Sequence, residues 1–190
     1  MKTARNLLPS FLALLLLAAA TDAGATVVKF LSLADHVASS DAIVRVRVAG
    51  ETSYVSEKDG RPRTDRRVRV LESYKGPFQR GDEFIVRQMR GPVGEGVLRI
   101  PGDPELGEGE ELVLFLMLGT EAEAQKVTYL TALAQSRYTV VRDLSGAWVK
   151  RDFDGLAFAF GDDGRVVEPA DEPATKLELL EASIRALVER

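Results

Sequence analysis

Two pairs of arginines carry the most distinctive chemistry in this sequence. Arg45 and Arg47 alternate with valines, and so do Arg67 and Arg69. Successive side chains of a strand point to opposite faces, so each pair shares one face. If the two strands form a hairpin, four guanidinium groups project from one outer face, although like charges on neighbouring strands repel. We therefore expect this face to bind an anionic polysaccharide or a protein through bidentate arginine contacts.

Neighbouring charges give the arginine face a second interpretation. Glu51, Glu57, Glu72 and Glu83 lie near the two strands in the sequence and would neutralise the arginines. Arginine is also one way to keep the outside of a barrel hydrated. Further basic residues are expected in the adjoining loop: Lys58, Arg61, Arg63 and Arg66.

His36 is the single histidine, and its neighbours include the residue types of a hydrolase triad. Asp35, Ser32, Ser39 and Ser40 all lie in the same short helical stretch, which cannot surround a substrate in triad geometry. A distant Ser or Asp is still a conceivable partner, but a surface or helix-cap histidine is the favoured interpretation. One histidine without cysteine also makes a poor zinc site. We predict no catalytic residue, no metal ligand and no cofactor.

Carboxylates are concentrated in two stretches, 103–111 and 152–163. Calcium takes several oxygen ligands, but neither stretch has the spacing of a calcium-binding loop. No pair of carboxylates is singled out for glycoside hydrolysis. The glycine-rich segment 91–96 lacks the Gly-Lys-Ser/Thr of a phosphate-binding loop. Solvated turns are therefore the expected role of all three segments, with calcium as the alternative for the acidic ones.

The first 25 residues have the pattern of a secretory signal peptide. A basic start at 1–5 precedes an apolar run at 11–20, and Ala23 and Ala25 form an A-x-A cleavage pattern. The run is shorter than the roughly 20 residues that a membrane-spanning helix needs, and a retained anchor is the alternative. We predict cleavage after Ala25, export to the periplasm or beyond the cell, and no stable membrane span afterwards.

The segment 26–190 is predicted to be a single domain. Its 165 residues of the 190 suffice for one proper core. The chain has no cysteine, so disulfides and thiol chemistry are excluded. The formal net charge is −4, whereas a general nucleic-acid binder needs net positive charge. No nucleic-acid partner is expected.

Short alternating segments predict a mainly β fold. A capping box at Ser32-x-x-Asp35 predicts a short helix at 33–39, and Thr175-x-x-Glu178 predicts an amphipathic helix at 176–189. The polar segment 51–65 is expected to be a hairpin loop or an extended tip. Strands are predicted at 26–30, 42–48, 66–74, 83–89, 97–100, 112–118, 127–132, 138–142, 148–150, 156–160 and 165–167. The run 112–118 is apolar on both faces, which predicts a fully buried strand or a short helix, and the Asp-Gly tip at 161–164 predicts a hairpin. The fold class expected is a small OB-like β-barrel with a short N-terminal helix and a C-terminal amphipathic helix.

Three of these strands resemble netrin-like domains. Ser39–Val48 is similar to the first strand of that family, Val68–Gly76 to the second, and Gly109–Phe115 to a Gly-Glu-containing strand. The family includes the tissue inhibitors of metalloproteinases and implies an OB-like, five-stranded barrel. Those inhibitors place an N-terminal cysteine on the protease zinc, whereas the mature chain here would begin at Thr26. The resemblance therefore supports the fold more than inhibition.

The chain also resembles uncharacterised exported proteins of soil deltaproteobacteria. They share the segments Ala134–Val140 and Arg151–Leu156 as they stand here. This resemblance implies no activity. The expected function is an exported binding or interaction module with its ligand on Arg45, Arg47, Arg67 and Arg69, and not an enzyme. The alternatives are a protease inhibitor of netrin type and a hydrolase with an unrecognised site.

Overall fold

The computed structural model describes residues 25–119, 127–160, 165–170 and 172–190. The predicted signal segment up to residue 24 lies outside the described residues, as does the predicted hairpin tip at 161–164. Within the described part, no helix is both long enough and apolar enough to cross a membrane.

Strands dominate the described residues. Helix α1 (Leu33–Ser39) follows the first strand, a 3₁₀ turn spans Leu133–Ser136, and helix α2 (Leu177–Val188) lies near the C-terminus. The strands are β1 (Thr26–Lys29), β2 (Ala42–Val55), β3 (Pro62–Lys75), β4 (Glu83–Gln88), β5 (Gly91–Val93), β6 (Gly96–Leu98), β7 (Glu111–Leu118), β8 (Val127–Leu130), β9 (Arg137–Asp143), β10 (Gly146–Lys150), β11 (Leu156–Phe160), β12 (Arg165–Val167) and β13 (Thr175–Lys176).

Five strands close into a β-barrel, as the sequence predicted. The order around the barrel is β7-β2-β3-β4-β8, and β8 pairs again with β7. All pairs are antiparallel except β4–β8, which is parallel. This is a Greek-key arrangement of OB-like type. Alternate side chains fill the interior with a core of Ala42, Val44, Val46, Val48, Val68, Val70, Phe78, Phe84, Val86, Leu106, Leu112, Leu114 and Leu116.

A second core lies outside the barrel wall. Strands β9, β10 and β13 extend the sheet from β7, and both helices pack on the surface that this creates. Strand β7 is buried on both sides because Leu114 enters the barrel while Phe115 enters the second core. The fully buried strand predicted from its continuous apolar run is therefore confirmed. Ile184 on α2 and Val149 on β10 complete this layer.

A third, smaller unit pairs the start of the described chain with the segment that follows β10. Strand β1 pairs in parallel with β11, and β11 pairs with β12 as the predicted hairpin. Phe153 and Phe158 pack edge to face beneath this sheet, at 5.2 Å between ring centroids. The sheet thereby fixes the start of the described chain against the loop that follows β10.

Several local predictions need correction. The segment 51–65 matches the extended tip and not the hairpin loop, because β2 continues to Val55 and β3 begins at Pro62, which leaves a connecting loop at 56–61. The capping box at Ser32 and Asp35 is confirmed. The second capping box is wrong: Thr175 belongs to β13, and the N-cap of α2 is Lys176, whose side chain makes no capping hydrogen bond.

Candidate anion-binding face

The pairing of β2 with β3 decides which arginines meet. The register shifts between Ile43 and Val44, between Arg45 and Val46, and between Val48 and Gly50. Because of these bulges, Arg47 lies opposite Arg69, whereas Arg45 lies opposite Glu72 and Arg67 opposite Gly50. The four arginines do not form two facing pairs; the register brings Arg47 and Arg69 together.

Arg45 lies under helix α2. Its side chain is 19% exposed, and its Nη1 lies 2.7 Å from Oε1 of Glu111. On the helix, Oε1 of Glu181 lies 3.2 Å from the Arg45 Nε and also accepts a 2.6 Å hydrogen bond from the Tyr74 hydroxyl. Because Arg45 is paired with two carboxylates and covered by helix α2, its role is in packing. Its expected place in the ligand-binding set is not supported by this geometry.

Glu111 is the centre of a charge cluster at the start of β7. Its carboxylate accepts hydrogen bonds from Arg45 at 2.7 Å, Arg47 at 3.1 Å and Arg142 at 2.7 Å. Burial by itself raises the pKa of Glu111, but the hydrogen bonds from Arg142 and Arg45 outweigh it and hold the pKa below its usual value. One carboxylate thus serves three guanidinium groups, and positive charge remains in excess.

The other end of the face is an open groove of about 570 Å³. Arg47, Arg69 and Arg80 line it together with Glu83. The Arg47 side chain is 56% exposed. Within the described residues, Arg69 and Arg80 have no ion pair and no side-chain hydrogen bond. We name this feature the arginine groove.

The groove is held by backbone hydrogen bonds. The turn after β3 carries Arg80, and Gly81 N donates to the Val70 carbonyl at 2.9 Å. Val70 N in turn donates to Asp82 O at 2.9 Å. Gly81 has φ +96°, a backbone conformation that glycine adopts without strain. Arg80 was absent from the predicted set, and its place in the turn after a Lys-Gly-Pro strand end gave no signal in the sequence.

Arg67 extends the positive surface beyond the groove. It is exposed on the outer face of β3, and its Nη2 lies 3.6 Å from where a side chain on Gly50 would begin. The described residues include no ion-pair partner for it. The next outward residue toward the hairpin, Asp65, accepts hydrogen bonds from Arg87 at 2.7 and 2.9 Å. The exposed row of cations therefore stops at Arg67.

The glutamates expected to neutralise this face have other positions. Glu51 pairs with Arg66, and Glu72 pairs with Arg185 of α2 at 2.7 Å. Glu83 lines the groove without a close ion pair in the described part of the chain. The neutralising role belongs instead to Glu111, which the sequence assigned to an acidic loop.

The basic residues expected to crowd the adjoining loop divide in the structure. Arg63 lies in β3 and pairs with Asp59 at 2.6 Å. The expectation is wrong for Arg66, because its side chain lies inside the barrel and is 4% exposed. The alternation of β3 explains this difference, since Arg66 shares its face with Val68 and Val70.

His36 is buried, so the predicted surface or helix-cap position is wrong. It packs against Phe115, with 5.0 Å between ring centroids. Its Nε2 lies 3.3 Å from the Ser136 hydroxyl, a distant serine of the kind left open by the sequence. Both residues are fully buried, and the His36 Nδ1 has no hydrogen-bond partner. Among the described residues no acid is oriented to complete a triad, and solvent does not reach the pair.

The electrostatics of His36 follow from its surroundings. Burial, with the positive charge of Arg151 adding to it, lowers the pKa of His36 from 6.5 to about 4. The nearest acidic residue in the chain, Asp35, acts in the opposite sense but weakly, because its carboxylate is bound to Ser32. The histidine is therefore neutral and serves as part of the second core.

The acidic stretches do not assemble a metal site in the described residues. No group of three His, Asp or Glu side chains there is arranged to hold a metal ion. Glu110 accepts a hydrogen bond from Gly107 N at 2.8 Å, and Asp103 accepts one from Gln88 at 2.8 Å.

No protein-family model matches the chain, and no curated protein matches it.

Proposed function

We propose that this chain is an exported binding module that holds an anionic polysaccharide in the arginine groove. One observation carries the proposal. Arg69 and Arg80 stand without acidic partners beside Arg47 on one open surface, within the described part of the chain. Arg47 pairs with Glu111, and Glu83 lies opposite Arg69 in the register of β3 and β4, so the three arginines together keep a net positive charge that a polyanion would neutralise.

The chemistry of the groove suits repeated anions. Each guanidinium group offers a planar fork that matches a carboxylate or sulfate oxygen pair. Arg47 and Arg69 face each other on adjacent strands, which lie about 4.8 Å apart, and Arg80 is fixed on a hydrogen-bonded turn. The backbone that carries the binding groups is thus fixed, which reduces part of the entropy cost of association, while the exposed guanidinium groups can adjust to the anions. In OB-like barrels, ligands also commonly bind on these strands.

A polysaccharide is favoured over a protein by what else lines the groove. Its remaining lining is small or aliphatic, and it includes no aromatic side chain. Protein interfaces concentrate their energy in buried tryptophan, tyrosine and arginine anchors. A groove whose charged lining is three arginines and one glutamate binds mainly through charge, which is how an acidic polymer is recognised.

The start of the first strand supports cleavage after Ala25. Strand β1 begins at Thr26, and the Thr26 N donates to Gly155 O at 2.9 Å. After cleavage this nitrogen becomes an ammonium group that still donates to the same carbonyl. Every described helix and strand is retained in the chain 26–190 that we propose is exported.

The proposal is tested with purified chain 26–190 and polygalacturonate. We expect binding that weakens steeply with added salt, and no binding to neutral dextran. Arg69→Ala with Arg80→Ala should weaken binding at least tenfold. The matched control, Lys58→Ala with Arg61→Ala, removes the same charge from the hairpin tip and should change affinity less than twofold.

Two outcomes would overturn the polysaccharide assignment. Binding that is insensitive to salt, or equal in the two double variants, would show that the groove is not the site. Preference for polyglutamate over polygalacturonate at equal charge would point to an acidic protein segment instead.

A further inference from the structure

A second concave site lies away from the arginine groove. It is a cleft of about 340 Å³ between the segment Arg99–Glu105 and the loop Asp152–Gly155, with Arg137 at its side. The cleft and the groove share no lining residue. We name this feature the barrel-end cleft, because Gln88 from inside the barrel reaches Asp103 at its edge.

Two glycines allow the walls of the cleft to meet. Gly102 has φ +80° and Gly155 has φ +73°. A Cβ on Gly155 would lie 2.5 Å from Gly102 N, and a Cβ on Gly102 would overlap Leu156. Hydrogen bonds fix the contact, because Thr26 Oγ1 donates to Pro101 O at 2.6 Å while Thr26 N donates to Gly155 O. The cleft is therefore a fixed shape rather than a gap between loose loops.

Cations line one side of the cleft. Arg90 is 8% exposed, and its nearest described carboxylate oxygen, on Glu105, is 3.9 Å away. Among the described residues, its one hydrogen bond runs to Pro104 O at a long 3.5 Å. Arg99 is exposed and has no ion-pair partner among the described residues. A buried guanidinium with such weak contacts retains most of its capacity to bind an anion.

Acceptors line the other side. Asp152 and Asp154 are exposed on the loop that ends at Gly155. The Oδ2 of Asp103 and the Oε1 of Gln88 behind it are both buried, and neither has a hydrogen-bond partner among the described residues. Buried oxygens of this kind are normally satisfied by a donor from the protein, water or a ligand. The exposed carboxylates of Asp152 and Asp154 are the acceptors that the hydroxyl groups of a ligand can reach.

We infer that the barrel-end cleft binds a small hydroxylated carboxylate, of which a monomeric hexuronic acid is the type. The ligand carboxylate faces Arg90 and Arg99, and its hydroxyl groups donate to Asp152 and Asp154. The volume is at the small end of the range for ligand pockets. No aromatic residue lines the cleft, so a flat, stacking ligand is not the class that it fits. This inference does not depend on the arginine groove.

The test is an NMR titration of chain 26–190 with galacturonate, followed through backbone amide signals. We expect saturable shifts at Gly102 and Gly155, and shifts at least tenfold smaller with galactose, which lacks the carboxylate. Arg99→Gln and Asp152→Asn should each raise the dissociation constant at least fivefold. Arg61→Gln, an exposed change at the hairpin tip, is the matched control and should leave the constant unchanged.

Other outcomes are decisive against the inference. Equal shifts with galactose and galacturonate would show that the cleft does not recognise the carboxylate. Equal or stronger binding of inorganic phosphate would show that the cleft takes a simple anion. An unchanged constant in Arg99→Gln would place the ligand elsewhere. Arg69→Ala with Arg80→Ala separates the two sites, because it should leave galacturonate binding intact even if the groove binds no polysaccharide.

Discussion

Arg66 and Arg67 are adjacent in the chain and lie on opposite sides of the barrel wall. Arg66 points inward, is 4% exposed and pairs with Glu51. Burial lowers the pKa of Arg66 below its usual value, and the nearby positive charge of Arg90 lowers it further. Arg67 points outward and has no ion-pair partner among the described residues. The fold can bury Arg66 because a carboxylate pairs with it, whereas the Arg67 side chain is open to solvent or to a ligand.

This difference separates arginines that hold the fold from arginines that are available to bind. Removing water from a cation is costly, so a buried arginine is retained with a carboxylate and hydrogen bonds. An exposed arginine without a partner contributes little to stability. The arginine groove contains the second kind, which is why we assign function to it.

The largest expected effect is the contrast between these two neighbours. Arg66→Ala should destabilise the protein by about 3 kcal/mol, because it leaves a cavity in the barrel and removes the partner of Glu51. Arg67→Ala should change stability by less than about 0.5 kcal/mol. Urea denaturation measures both. Equal losses in the two variants would contradict the division into inner and outer arginines.

His36 shows another way to bury a polar group, which is to keep it neutral. Its folded pKa is about 4 against 6.5 for the free side chain, so the unfolded chain binds the proton first as the pH falls. The stability that His36 contributes is therefore lost as the pH drops from 6.5 toward 4. Between pH 7.5 and pH 5, we expect a loss of about 2 kcal/mol from this group.

The comparison variant for this acid sensitivity is His36→Gln. Urea denaturation of both proteins at pH 7.5 and pH 5 isolates the histidine, because all carboxylates are shared. The wild-type protein should lose more stability than the variant over this interval. Parallel losses would mean that His36 is accessible to protons in the folded protein.

Glu111 lies at the boundary between the covered and the open arginines. Glu111→Gln should cost about 1 kcal/mol, because Arg45 keeps Glu181 as a second carboxylate. The same change frees Arg47, so affinity for polygalacturonate should rise several-fold. Glu72→Gln removes one negative charge from the pair with Arg185 and is the matched control. A rise in both variants would indicate a net-charge effect without a defined site.

Much of the fold follows from patterns that depend on near neighbours in the chain. Strict alternation in β2, β3 and β4 predicted their inner and outer faces, and the two-sided apolar run of β7 predicted burial on both sides. The capping box of α1 is likewise local. These features are encoded by residues two to four positions apart.

The candidate sites depend on partners that are distant in the chain. Bulges in the β2–β3 pairing place Arg47 opposite Arg69, and such shifts leave no mark in the alternation. Glu111 reaches Arg45 only because β7 lies beside β2. The inward position of two residues could be read from their near neighbours. Arg66 lies two residues before Val68 and so shares its face of the strand, and His36 lies one helical turn after Leu33 and so shares its face of the helix.

The smallest expected effect concerns the exposed start of α2. Lys176 occupies the N-cap without a capping hydrogen bond, while its amine lies 4.9 Å from the Trp148 ring centroid. Lys176→Asp should gain about 1 kcal/mol from capping and lose about half of that from the ring contact and the 3.3 Å hydrogen bond of the amine to Ser145 O, a net gain of about 0.5 kcal/mol. Thermal denaturation measures it, with Lys176→Ala giving the loss of these two contacts without the cap. A loss of about 1 kcal/mol in Thr175→Ala would restore the predicted capping box, since a strand residue outside the helix should not cap it.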